Sequence, residues 1–218
     1  MYVYFNIPEI DSRNGDFLNF WLKTIFISPV SSNFQVNALS VMYVRLVEAA
    51  FVEYSLGRQS LMEFWSTHTG IALGAMHRSV SHFESCLSNT HRAKQAFSRL
   101  RNHADNGELR KLLSNPRPNF IQAKFADQIR AIRNEIHHTE DSLMKGLLGS
   151  GNPVMLKADG PETVHPTEAN QTNKLIDRLV VGQQELLFSE LATALTEMAD
   201  YCKKISENIS SSSPGNAA

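Results

Sequence analysis

The residues best suited to chemistry in this chain are concentrated between positions 130 and 141, in the run Arg-Ala-Ile-Arg-Asn-Glu-Ile-His-His-Thr-Glu-Asp. Arg130, Arg133, Asn134, His137, His138 and Asp141 bring together guanidinium, amide, imidazole and carboxylate groups. Such a set suits cleavage of a ribose–phosphate backbone. Attack of a 2′-OH on the neighbouring phosphorus needs a base for the hydroxyl, an acid for the leaving oxygen and a cation for charge on the phosphoryl oxygens. Histidine titrates near neutrality and fills the first two roles. Arginine presents paired donors that match phosphate geometry, and asparagine orients an imidazole or binds a phosphate oxygen. This scheme calls for no metal cofactor, and no carboxylate cluster that would hold magnesium is visible in the sequence.

The spacing puts these groups on one side of a helix. At 100° per residue, with Arg130 at 0°, Arg133 falls at about 300°, Asn134 at 40°, His137 at 340°, His138 at 80° and Asp141 at 20°. Ile129, Ile132, Ile136 and Leu143 fall at about 200° to 260°, so the apolar stripe and the polar cluster are expected on opposite sides. Arg133 and His137 are about 40° apart and Arg133 and His138 about 140°, which leaves both histidines as candidates for the acid/base role. A partner-binding polar face is the other reading of the same residues.

Arg133-Asn134-Glu135-Ile136-His137-His138 resembles the Arg-Asn-x-x-x-His form of the Arg-x(4 to 6)-His motif of the HEPN superfamily, the higher eukaryotes and prokaryotes nucleotide-binding domains. The resemblance implies a four-helix bundle over roughly residues 34 to 208, with the motif on a late helix. It implies a metal-independent endoribonuclease whose site forms where the motifs of two protomers meet in a homodimer. Arg133 would bind the scissile phosphate, His138 would be the acid/base residue and Asn134 would support them, with His137 as the second histidine candidate. Many members act in toxin–antitoxin or antiphage defence, so an antitoxin protein joins RNA among the implied partners. Some family toxins carry a tyrosine two residues after the histidine that is modified by the antitoxin. Glu140 stands there in this chain, which argues against that route of control. The alternative function is a noncatalytic module of the same kind that dimerises and binds a protein or RNA.

Four stretches have the period needed to carry this face. Apolar residues recur in steps of three and four at Val36, Leu39, Tyr43, Leu46 and Ala50, with Gly57 as the expected stop. They recur at Leu73, Met76, Val80, Phe83 and Leu87, with Phe97 and Leu100 continuing after a break. The third set is Phe125, Ile129, Ile132, Ile136 and Leu143. The fourth is Leu187, Leu191, Ala194, Met198, Tyr201 and Ile205, with Ser189 as the expected cap. The expected fold is therefore mainly α, an antiparallel four-helix bundle. The Gly/Pro-rich stretch 149–173 reads as an inserted loop. Ile176–Val181 and Leu186–Phe188 about a turn at Gly182 read as a small β-hairpin before the last long helix, so that the insertion spans about 149–188. Val3, Phe5 and Ile7 alternate with Tyr2, Tyr4 and Asn6, and this short strand could pair with the hairpin. Residues 1–209 are expected to form a single domain and 210–218 a disordered tail.

Lys and Arg number 21 against 22 Asp and Glu, for a net charge of −1. A polyanion site must then be local. Between Ser88 and Arg133 there are ten basic residues and only Asp105, Glu108 and Asp127 as acids. Within that segment Arg99, Arg101, Arg117, Lys124 and Arg130 are the candidate RNA-binding residues. Cys86 and Cys202 lack metal-ligand spacing and fit a reducing, cytoplasmic setting. The apolar run 17–30 is broken by Asn19, Lys23 and Thr24, and Asp11 and Asp16 precede it. Neither a membrane span nor a secretion signal is expected there.

Overall fold

A computed structural model describes residues 1–66, 73–107, 109–114, 116–146, 155–168 and 170–211. The chain is mainly helical with a small β region. In order it forms β1 (Tyr2–Phe5), α1 (Asn14–Phe26), α2 (Phe34–Ser66), α3 (Leu73–Asn102), α4 (Leu109–Ser114), a 3₁₀ turn (Asn119–Ile121) and α5 (Ala123–Met144). Then follow β2 (Lys157–Asp159), β3 (Glu162–Val164), β4 (Thr172–Ile176), β5 (Arg178–Val181), β6 (Gln184–Leu187) and α6 (Phe188–Ser211). The contacts divide into two compact units. The first is Met1–Ile10, Val52–Ser88 and Asp127–Thr193; the second is Asp11–Phe51, Asn89–Ala126 and the chain from Ala194 on.

In the first unit the helices meet around rings. Phe83 lies 6.1 Å from Tyr54 and 5.1 Å from Phe188, ring centre to ring centre. Gly57 does not end α2 as expected. A Cβ there would stand 3.0 Å from the Phe83 ring, and the Ser79 hydroxyl donates to the Gly57 carbonyl at 3.1 Å. Glycine at this position admits α3 to close approach, and the packing outweighs its low helix propensity. His82 and Glu53 join the same two helices through a 2.7 Å hydrogen bond. The N-terminal segment is tied to α2 where the Tyr54 hydroxyl donates to the Pro8 carbonyl at 2.8 Å.

The β region is larger than one hairpin. The β5–β6 hairpin forms close to its expected place, with Val181 opposite Gln184 and Arg178 opposite Leu187. β2 adds to its other edge, antiparallel to β5. β1 does not join this sheet. It runs parallel to β4, with Tyr2 opposite Asn173, and β3 pairs with β4 on the far side. Part of the expected loop 149–173 is thus strand; its residues 149–154 and 169 lie outside the described residues. Asp177 is the switch between the sheets: its N–H donates to the Asp159 carbonyl, and its carbonyl accepts from Phe188 N–H where α6 begins. Ser189 therefore falls inside α6 instead of capping it, and its carbonyl accepts from the Thr193 hydroxyl.

The second unit has an aromatic core. Phe97 lies 5.2 Å from Tyr43, 4.9 Å from Phe120 and 5.1 Å from Tyr201. Replacing such a ring by alanine costs about 3–5 kcal/mol. α3 runs unbroken to Asn102, and Asn106 closes it by donating to the carbonyls of Leu100 and Arg101 at 2.9 and 2.8 Å. Asn33 caps α2, accepting from Gln35 and Val36 N–H. Among the described helices α2 alone is long and apolar enough to cross a membrane. Its Val36, Tyr43, Val44, Val47, Ala50 and Tyr54 are fully buried within the protein, as in a core helix. Of the expected disordered tail 210–218, Ser210 and Ser211 are instead the last residues of α6, and residues 212–218 lie outside the described residues.

Candidate nucleic-acid interface

α5 carries the cluster, and its faces can be assigned one by one. Residues 123–144 contain no Gly or Pro, and their step of three and four puts one stripe inward. Ile129 and Ile132 are buried and Ile136 is half-buried, but Leu143, expected on the same stripe, is 51 % exposed. The stripe keeps its helical direction, whereas the core it faces ends near Ile136. At about 140° to 160° on the same wheel a second flank meets the hairpin. There the Gln128 amide donates to the Glu185 carbonyl at 2.7 Å. Glu135 lies over the β5–β6 turn, where a Cβ on Gly182 would come within 2.5 Å of its Oε1. Gly182 has φ +55°, the left-handed conformation that a two-residue hairpin turn favours and that glycine adopts without strain.

The third face is polar. Asn134, His137 and His138 are exposed and Arg133 is half-buried. Arg130 is exposed and donates to Asp127 at 2.9 Å. His138 Nδ1 is 3.6 Å from Asp141 Oδ2, near enough for charge attraction when the imidazole is protonated but too long for a hydrogen bond. This face therefore has two imidazoles and a guanidinium reachable from solvent, with carboxylates beside Arg130 and His138. An acid, a base and a phosphate ligand can be drawn from it.

The other four candidate RNA-binding residues belong to the second unit. Arg99 on α3, Lys124 at the start of α5 and Arg117 are exposed there. Arg101 is half-buried, and its Nε is enclosed without a hydrogen-bond partner among the described residues. It acts on Tyr201, whose hydroxyl is pushed up by burial and by Glu197 while Arg101 opposes the shift. Tyr201 donates to the Pro116 carbonyl at 2.7 Å, and the Glu197 carboxylate accepts from Asn119 and Phe120 N–H at 2.9 and 3.1 Å. Arg101 thus sits in a group that anchors the turn leading into α5. The sequence segment of positive charge does not map onto one compact unit.

Among the described residues no group of three or more His, Cys, Asp and Glu could hold a metal ion. A cavity of about 500 Å³ in the first unit is lined by residues that include Phe64, Trp65, Met76, Phe83, Leu179 and Lys157. Among the described residues its lining has neither arginine nor histidine, the groups that the phosphate chemistry above would use. Sequence reasoning missed the hairpin flank of α5, although the seven-residue spacing of Gln128 and Glu135 marks a shared face. No protein-family model, no curated protein and no solved structure matches this chain.

Proposed function

We propose that this chain is a HEPN-like, metal-independent endoribonuclease, with α2, α3, α5 and α6 corresponding to the four helices of that family's bundle. The observation that supports the reading is the placement of Arg133, Asn134, His137 and His138 on α5 away from Ile129 and Ile132, with both imidazoles open to solvent. One imidazole removes the proton from the ribose 2′-OH, and the O2′ attacks phosphorus. The P–O5′ bond breaks, and a protonated imidazole delivers its proton to O5′. The products are a 2′,3′-cyclic phosphate and a 5′-OH end. Arg133 offsets charge on the phosphoryl oxygens during this step. His138 is the first choice for the acid/base group and His137 the second, with the motif of a second copy completing the site. The biological setting proposed is cytoplasmic toxin–antitoxin or antiphage defence, with an antitoxin as a protein partner.

The carboxylates beside Arg130 and His138 favour a second reading, a noncatalytic module that binds RNA or a protein through the same face. Incubation of the purified protein with RNA in EDTA separates the two. The ribonuclease reading expects cyclic phosphate ends and loss of cleavage in Arg133→Ala and His138→Ala with helicity retained. Retarded but intact RNA favours the binding module. Cleavage only with added magnesium refutes the mechanism, and a dead His137→Ala beside an active His138→Ala reassigns the histidine.

A further inference from the structure

Helix α1 is apolar on two sides, and among the described residues only one of them is covered. Phe17 and Phe20 are buried in the second unit. With Leu18 at 0°, Leu22 falls at about 40°, Ile25 at 340° and Phe26 at 80°, whereas Phe17 and Phe20 lie at about 260° and 200°. Leu18, Leu22, Ile25 and Phe26 are 57, 46, 68 and 76 % exposed. Asn14 and Gly15 complete this outer face, which has no charged side chain. The charged residues of α1 lie at about 140° to 160° and are both engaged. Asp16 pairs with Arg13 at 3.5 Å, and Lys23 Nζ donates to the Ser206 carbonyl at 3.1 Å. A helix that is apolar all round is ordinarily buried all round, and a contiguous exposed apolar patch marks an interaction site.

We propose that the outer face of α1 is a self-association surface, on which α1 of a second copy of this chain packs antiparallel about a two-fold axis near Leu22. Charge selects this occupant. Two uncharged faces meet without repulsion, whereas an interfacial membrane helix carries several free Lys and Arg beside its apolar face, and the one cation of α1, Lys23, is held by the Ser206 carbonyl. The face also offers no ionic handle to RNA or to a charged peptide. Area agrees. The four side chains and Ile27, 60 % exposed, amount to about three fully exposed large apolar groups. At roughly 100–200 Å² each, pairing removes about 600–1,200 Å² from water over both copies, the size of a weak, transient interface. The dimer is therefore concentration-dependent. In an isologous arrangement Leu22 faces its own symmetry mate, and Leu18 of each copy meets Ile25 and Phe26 of the other. This inference does not rest on the ribonuclease reading, since α1 shares no residue with the α5 motif.

Sedimentation or light scattering between about 1 and 100 µM tests it, a range suited to an interface of this size. The mass is expected to rise toward twice 24.4 kDa. Leu22→Glu, and separately Leu18→Ser with Phe26→Ser, are expected to weaken association at least tenfold while circular dichroism and the melting temperature stay unchanged. Met144→Glu, at an exposed end of α5, is expected to leave association intact. A wild-type chain that stays monomeric throughout overturns the proposal, as does a Leu22→Glu variant that dimerises normally. Binding of the monomer to phosphatidylcholine–phosphatidylglycerol vesicles, abolished by Leu22→Glu, would assign the face to a lipid surface instead. Cleavage of RNA by a monomeric Leu22→Glu variant would count against a composite nuclease site and leave the α1 interface standing.

Discussion

Gly182→Ala tests how the hairpin is held against α5. The added methyl group meets two separate obstacles. An L side chain at φ +55° costs about 1–2 kcal/mol, partly offset by about 0.4–1 kcal/mol because alanine restricts the unfolded chain. The Cβ also stands 2.5 Å from Glu135 Oε1, 2.8 Å from Cδ and 2.9 Å from Cγ, so the whole carboxylate arm must swing aside. Driving that arm from its rotamer costs about 0.5–1.5 kcal/mol. The single variant should lose about 1–2.5 kcal/mol. In the double variant with Glu135→Ala the second obstacle is gone, and Gly182→Ala should then cost only about 0.5–1 kcal/mol. The cycle therefore predicts a coupling of about 0.5–1.5 kcal/mol, read by urea unfolding with a constant m-value. A coupling of zero, with Gly182→Ala equally damaging in both backgrounds, would show that Glu135 does not lie on the turn.

Two further predictions concern ionisable groups. Burial raises the Asp159 carboxyl, but hydrogen bonds from Lys157, Lys174 and Gly160 N–H outweigh it and hold the group at about 2, below its ordinary 3.8. A depressed carboxyl stabilises the fold above its unfolded value and loses that contribution as pH falls from about 4 to about 2. With allowance for solvent screening, Asp159→Asn should cost about 1–2 kcal/mol near pH 7 and almost nothing near pH 2. A penalty independent of pH over that range would contradict the ion-pair account. Cys86 and Cys202 are both fully buried, and burial, with smaller effects from Glu48 and Asp16, pushes the Cys202 thiol well up. Neither should react with a thiol reagent before urea unfolds the chain, and rapid labelling of the native protein would show that they are accessible.

Features that depend on neighbours along the chain were legible in its sequence. The polar face of α5 follows from helical period alone, because Ile129 and Ile132 cannot turn inward without turning Asn134, His137 and His138 outward. The β5–β6 hairpin follows from two apolar runs about a glycine, since such a turn is a local event. Tertiary structure alone decided the rest. β1 pairs with β4 across about 170 residues; alternation marks a strand but names no partner, because ladder hydrogen bonds are made by backbone common to every residue. Gly57 reads as a helix end in the sequence, but in the fold a ring from α3 stands against it within an unbroken α2. Arg101 counted as a surface cation in sequence, but folding encloses its Nε beside Tyr201. The outer stripe of α1 has the same apolar composition as a buried one, and only the packed chain shows that nothing within its own described residues covers it. Sequence sets which faces a helix has; the fold decides which of them meet anything.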